Sequence, residues 1–531
     1  MPNKNYIVFP YDATELKKIF MRYARSEVLA GKLHCTYFEE YFRVINAKTV
    51  ICEEDYIDRD YLDDYSDYYV RCFNKYSRRC TRLHFFKHEF TDQAFEKLLS
   101  GENGGLTQKQ LIDSYLGFIV VKPLPETIFG RTCLKTYDDD PKRRHFPITR
   151  NYEANLFGIP LQVKSIAFQE QDTVVAVCAT AALWSVFQAT GMLFHHDILS
   201  PIEITKAATD HITPETRTLS RDGITLDQLA KAIREVDLEP YIANAYEEYP
   251  LQSSVFAYLN AGIPIILGFE IVDTSLPSPK PNSMGNHAVA VTGYSLGRKA
   301  PIPWGTAGFL STASRIDKIY VHDDQIGPFA RMVFDSKQVE LRRLNTTPGM
   351  VNSMLTSWKG KDKVIGSGRA VPLSIIIPLY HKIRIPFETI HHAVSIFDGF
   401  IEYLRRNGKI THLDRLEWAI ILVTTNKLKT DLHTSKTISN SARFETVTTS
   451  MPKYMWRAKA VSNDNEILDF LFDATDIEQG SFFLKAIEYD PKLSIVLREV
   501  TKEANALDPY RTDPELMPAL KILEWYSEQP V

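Results

Sequence analysis

The chain has no run of 18 or more apolar residues, so the sequence predicts no helix that spans a bilayer. Its opening stretch, MPNKNYIVFPYDATELKK, has no apolar core behind a basic start, which predicts no secretory leader. Cysteine is scarce, with six in 531 residues: Cys35, Cys52, Cys72, Cys80, Cys133 and Cys178. Without a leader, so sparse a set reads as reduced thiols of a cytoplasmic protein, not as a disulfide framework. Neither sign of charge dominates, and a formal net charge of −4 points to neither nucleic acid nor an anionic membrane as a partner. Two signatures are also missing. The absence of GxxxxGK[ST] excludes a P-loop ATPase, and HExxH does not occur. There is no internal repeat and no low-complexity tract.

What remains is ordinary globular material, 44% hydrophobic and 24% charged, enough for two to four domains. Residues 1–150 alternate helical stretches with aromatic, charge-rich ones. EEDYIDRDYLDDYSDYYVR (53–71) carries eight acids against two arginines, and a basic stretch (71–87) follows it. A run of this kind is ordinarily a solvated face; the opposite signs also allow pairing within the domain or docking of a partner. YLGFIVVKPLPETIFGRTCLKTY (115–137) predicts two strands around a Pro-containing turn, and PKRRHFPITR (141–150) predicts a linker.

Residues 151–345 have an α+β texture, helices first and strands second. A helix follows Asp172 or Thr173, either of which suits an N-cap, and Gly191 suits its C-terminal end. Thr225 and Gln228 form a capping-box pattern ahead of Leu226, Leu229, Ala230, Ile233 and Val236 at helical spacing. LQSSVFAYLNAG (251–262) predicts a further helix. Strands are predicted at 263–272, 287–294, 318–323 and 330–335. Residues 346–531 begin with a loop rich in Gly, Ser and Lys, followed by a strand (371–379), a long helix (387–406), a strand (418–425) and a C-terminal helix (515–527).

The stretch FQEQDTVVAVCATAALW (168–184) places one cysteine at the start of an apolar helix. A lone cysteine there is ordinarily a small core residue. A cysteine nucleophile needs more: help in ionising from a helix N-terminus or an imidazole, a histidine to take the proton, a third group to orient that histidine, and a donor for the developing oxyanion. Those residue types occur in one order. Gln171 precedes Cys178, His287 opens a strand after a Gly-Asn turn (MGNHAVAVTGY), and Asp323 ends another (KIYVHDDQIGPFARM). Taken alone, such a histidine or aspartate is a turn or core residue.

The pieces QD (171–172), CATAALW (178–184), GITLDQL (223–229), AGIPIIL (261–267), HAVAVTGY (287–294) and VHDDQIGP (321–328) together resemble a papain-like cysteine peptidase, closest to the bacterial C39-like branch. The likeness covers about residues 155–335. It implies an α+β fold with a papain-like core (151–345) between an N-terminal α+β accessory domain (1–150) and a C-terminal one (346–531). It implies Cys178 as nucleophile, His287 as base, Asp323 as the group orienting the imidazole and Gln171 as oxyanion donor. It implies no cofactor and no metal, and a protein or peptide as substrate; because a protease needs restraint, the flanking domains are expected to serve substrate selection, autoinhibition or binding of a regulatory protein. Amide or acyl transfer on the same triad, deamidation, isopeptidase action and an inactive binding scaffold remain alternatives.

This chain departs from the pattern in four places. Ala179 stands where Gly usually follows the cysteine, and the spacing from Gln171 to Cys178 is longer than usual, which leaves Gln169 as a rival. Residues 297–317 are additional, a lid or a substrate-contacting loop. Asp324 rivals Asp323, and strand alternation predicts that only one of them reaches His287. Elsewhere, Cys72, Cys80, His84 and His88 are zinc-ligand types at a spacing that fits no common finger. His195-His196-Asp197 and His391-His392 hold adjacent histidines that point apart.

Overall fold

The computed structural model describes residues 4–24, 31–137, 143–172, 177–209, 223–275, 282–341, 349–475 and 482–530. The fold is α+β with several sheets. Chain contacts divide it into two units: Met1–Glu247 with Gly262–Ser295 and Lys318–Pro378, and Glu248–Ala261 with Leu296–Asp317 and Leu379–Val531. The boundary expected near 150 falls inside the first unit, and the one at 345 lies outside the described residues. Among the described residues no helix is long and apolar enough to cross a membrane.

The first unit holds two main sheets. One is antiparallel and five-stranded, in the order Tyr6–Pro10, Thr49–Tyr56, Cys80–Phe86, Tyr115–Val121 and Phe129–Leu134. The last two strands are the pair expected around the Pro-containing turn. In the second sheet Ile265–Asp273, Asn282–Leu296, Ile316–Asp323, Gly327–Leu341, Gly349–Leu355 and Gly368–Tyr380 follow one another. Gly368–Tyr380 also pairs with Ile265–Asp273, so the strands close into a ring. Closure leaves no free edge within the ring. Arg144–His145 pairs with the Asn282–Leu296 strand, and Phe146 packs on Tyr320 and Phe329. The described part of the expected linker is therefore sheet and core.

The helix Cys178–Phe194 is apolar on nearly every side and is buried accordingly. Its Leu183, Trp184, Val186 and Phe187 share one core with Ile204, Leu229, Ile233, Ile266, Ala290 and Ile376. The expected caps differ. Val177 is the N-cap and makes no side-chain cap bond, Thr173 lies outside the described residues, and Asp172 instead accepts a hydrogen bond from the Tyr69 hydroxyl. The helix runs past Gly191 to His195, whose left-handed backbone ends it. The capping box of Thr225 and Gln228 forms both of its hydrogen bonds at Leu226–Arg234, although Leu226 is exposed.

The acidic run is not a solvated face throughout. Asp58, Asp60 and Asp64 are buried. Asp58 caps the helix Arg59–Asp67, Asp60 accepts from Arg131, and Asp64 accepts the Ile202 N–H. Arg131, outside the basic stretch, and two helix-start N–H groups hold these acids; pairing between the two runs occurs at Glu53, which accepts from Arg82.

In the second unit a five-stranded sheet runs Leu310–Ser311, Glu417–Thr424, Tyr454–Ser462, Asn465–Asp473 and Phe483–Glu488. The helices Phe387–Arg406 and Leu520–Glu528 lie near the expected positions. The additional stretch 297–317 is part of this unit. Leu310–Ser311 pairs in parallel with Glu417–Trp418, and Arg315 forms an ion pair with Glu417. It is built into a sheet, not free as a loop.

Candidate functional site

Cys178 is the first residue of its helix, where backbone N–H groups lack acceptors and the helix dipole is positive. It is only partly buried. His287 comes from the ring strand Asn282–Leu296, paired with Phe269. It does not open that strand. The Gly-Asn stretch expected as a turn is a bulge, with the register shifting between Ile271 and Val272 and Gly285 at φ 113°, and the strand continues back to Asn282.

The imidazole joins three groups. Nε2 lies 3.0 Å from Asp323 Oδ1, and the Cys178 thiol is near enough to the ring to be among the groups that raise its pKa. Asp323 accepts two further bonds, the Trp358 indole N–H on Oδ2 at 2.8 Å and the Gln325 N–H on Oδ1 at 3.0 Å. Burial alone would lower the His287 pKa, but Asp323, Asp324 and the hydrogen bonds to Asp323 and Cys178 raise it well above its ordinary value. Burial works against an ionised Asp323 as well, and His287, Trp358 and the Gln325 N–H hold its pKa below the ordinary one.

Both aspartates reach His287, which corrects the alternation argument. Asp324 Oδ1 lies 3.5 Å from Nε2. The strand ends at Asp323, and a turn closed by Ile326 N–H to Asp323 carbonyl carries Asp324. Alternation stops where the strand stops, so the two carboxylates converge. Burial and the Asp323 charge push Asp324 up to about 6 against the pull of His287. His287, Asp323 and Asp324 place donor atoms within 4.8 Å of one another, a spacing that would suit a cation. Nε2 and Asp323 Oδ1 are already committed to each other by a hydrogen bond.

The aspartate turn is held by residues from the first 150. His34 donates its Nε2–H to the Asp324 carbonyl at 2.8 Å, and the Tyr37 and Tyr137 hydroxyls donate to the Pro328 and Phe329 carbonyls. A Cβ at Gly327, whose φ is +149°, would lie 2.4 Å from the Tyr37 ring, so only glycine admits that ring.

Gln171 stays apart. Phe168 bridges Thr132, Glu170 bonds the Phe129 backbone in both directions, and Asp172 is held by Tyr69. Gln171, between two buried acids, is half-buried, and Gln169 is buried. Among the described residues no hydrogen bond joins either glutamine to Cys178, His287 or Asp323.

Trp358 is the residue that sequence reasoning missed. Its ring meets His287 edge-on, with centroids 5.1 Å apart, on the face next to the Asp323 bond. Its carbonyl accepts the Gly366 and Gly368 N–H groups, which ties the loop to the ring strand. A lone tryptophan in a Gly-, Ser- and Lys-rich loop was the available signal. The zinc candidates do not gather. His84 bonds the Tyr115 hydroxyl and Glu53 on a fully buried strand.

Compared with models of known protein families and with curated protein sequences, the chain matches none.

Proposed function

We propose that the protein is a papain-like cysteine peptidase that hydrolyses a peptide bond through a thioester on Cys178. The observation that carries this reading is the imidazole of His287 hydrogen-bonded to Asp323 with the Cys178 thiol beside the same ring, and with the cysteine only partly buried. His287 takes the thiol proton, and the thiolate attacks the peptide carbonyl. The imidazolium then returns the proton to the leaving amine. Water, deprotonated by His287, hydrolyses the thioester and frees the thiol. Asp323 keeps the ring oriented, and Trp358 shields that bond from water. The Cys178 backbone N–H at the helix start is one oxyanion donor, and Gln171 is the proposed second. The substrate is a protein or peptide, and the remaining regions select or restrain it, with a regulatory partner and a cytoplasmic setting.

Acyl transfer, deamidation or isopeptidase action would use the same thioester. A binding-only scaffold needs no thiol within hydrogen-bond reach of a buried imidazole. Alkylation at varied pH tests the reading. Cys178 should react with iodoacetamide well below pH 8, and His287→Ala should abolish that reactivity. Reaction no faster than at the other five thiols would refute the assignment.

A further inference from the structure

Two carboxylates converge on one ring nitrogen. Asp323 Oδ1 and Asp324 Oδ1 lie 3.0 and 3.5 Å from His287 Nε2, and all three side chains are buried. Nε2 carries one hydrogen and Asp323 receives it. Asp324 Oδ2 accepts from the Gln325 side-chain amide at 3.0 Å, whereas its Oδ1, sealed from solvent, has no hydrogen-bond partner. Leaving a buried carboxylate oxygen unmatched is costly unless a positive charge lies opposite it.

The groups facing Asp324 supply one such charge. His287 comes from the Asn282–Leu296 strand, and Asp323 belongs to the same turn. His34, from the helix Leu33–Val44, meets its carbonyl, and burial holds that ring's pKa below the ordinary value. Lys32 and Glu170, which face His34, pair with each other. His322 turns to the Phe168 and Phe329 rings, where burial lowers its pKa to about 3. Cys178 is the remaining titratable group beside the His287 ring. His287 is therefore the cation that Asp324 meets, and two like charges so close together titrate as a pair.

We propose that Asp324 is a second positioning carboxylate for His287, and that the aspartate pair sets the pH range over which the imidazole beside Cys178 stays protonated. This rests on the reading of Cys178 as nucleophile and His287 as base. With both carboxylates ionised, two negative charges flank the ring and its proton is held further into the alkaline range. With Asp324 protonated, Asp323 alone retains it.

Iodoacetate tests this on the full chain, with labelling of Cys178 followed by mass spectrometry. The anion prefers a thiolate beside an imidazolium, so its rate against pH is bell-shaped and the alkaline limb reports loss of the His287 proton. Asp324→Asn should keep the bell and move its alkaline limb down by about one pH unit. Asp324→Glu should restore part of that shift. A role in folding alone would lower the rate at every pH and leave the limb in place, and that result overturns the proposal. A wild-type chain with no bell at all overturns the peptidase reading and this inference with it. A wild-type bell with an unmoved limb in Asp324→Asn defeats this inference alone. Should Asp324→Asn not fold, the wild-type His287 ring resonances decide. They should inflect near the Asp324 titration, at about pH 6, while the ring stays protonated. No inflection there overturns the proposal.

Discussion

His287 in the first unit and His391 in the second are buried to the same degree, each 7% exposed, and each is walled by aromatic rings. Phe269 and Trp358 stand edge-on to His287 at 5.4 and 5.1 Å, and Trp304 and Phe309 stand edge-on to His391 at 5.0 and 5.1 Å. Their partners differ. His391 shares a hydrogen bond with the neutral Tyr249 hydroxyl at 2.8 Å, and burial lowers its pKa to about 4. His287 has carboxylates and a thiol, and it is pushed the other way. Burial and aromatic walls alone make a neutral, structural histidine. Two acids and a cysteine in the same kind of box favour the protonated ring instead, and a perturbed imidazole beside a partly buried cysteine marks a candidate site.

The sharpest way to break this comparison is to exchange the consequences of losing each ring. His287→Ala should slow alkylation of Cys178 near neutral pH by roughly 10²–10⁴-fold, the usual weight of a general base. His391→Ala should leave that rate within about twofold and act on stability instead. Equal effects on the labelling rate would erase the distinction. Next in size is Gln171→Ala. It should leave alkylation unchanged but slow acylation of Cys178 by p-nitrophenyl acetate by about 10²-fold, because only the latter develops an oxyanion. An unchanged acylation rate removes Gln171 from the site.

How much of this was legible in the sequence depended on how local the cause was. The capping box at Thr225 and the strands around 115–134 rest on neighbouring residues, and they appear where expected. The order of Cys178, His287 and Asp323 was legible for the same reason, since each sits at a recognisable element. The failures are tertiary. Asp324 reaches His287 because the strand ends one residue earlier. Asp60 and Asp64 are buried because Arg131 and the Ile202 N–H, both from distant segments, meet them. Residues 310–311 pair with a strand more than a hundred positions on, and no local pattern announces that. Trp358 finds Asp323 across 35 positions, through a loop that reads as polar filler.

The two histidines also set opposite pH responses. His391 titrates at about 4 when folded against 6.5 ordinarily, so the unfolded chain binds more protons between those values and stability falls as pH drops through that window. Near pH 4 the loss amounts to about 3 kcal/mol. His287 has a raised folded pKa. Its contribution is complete below the unfolded value and fades only as pH rises through the folded one, while Asp323, lowered, contributes above its unfolded value and loses its share only below its folded one. Urea unfolding at pH 7 and pH 4.5 should therefore show an acid loss that His391→Phe reduces. An acid loss that His391→Phe leaves intact would assign it to other groups.

The smallest expected effect separates the wall from the bond. Trp358→Phe keeps an aromatic ring against His287 and removes only the indole N–H that reaches Asp323 Oδ2 at 2.8 Å. Deprived of that donor, a buried carboxylate oxygen is left unmatched, which costs about 1–3 kcal/mol of stability. Part of the charge on Asp323 then goes unsatisfied, so its pKa rises and its hold on the imidazolium weakens as the pH falls. Cys178 labelling should lose less than about tenfold near pH 7 and more at pH 5, because an Asp323 raised in pKa protonates sooner in acid and then orients the ring less well. A uniform loss at both pH values would mean that Trp358 contributes packing alone, as Trp304 does beside His391.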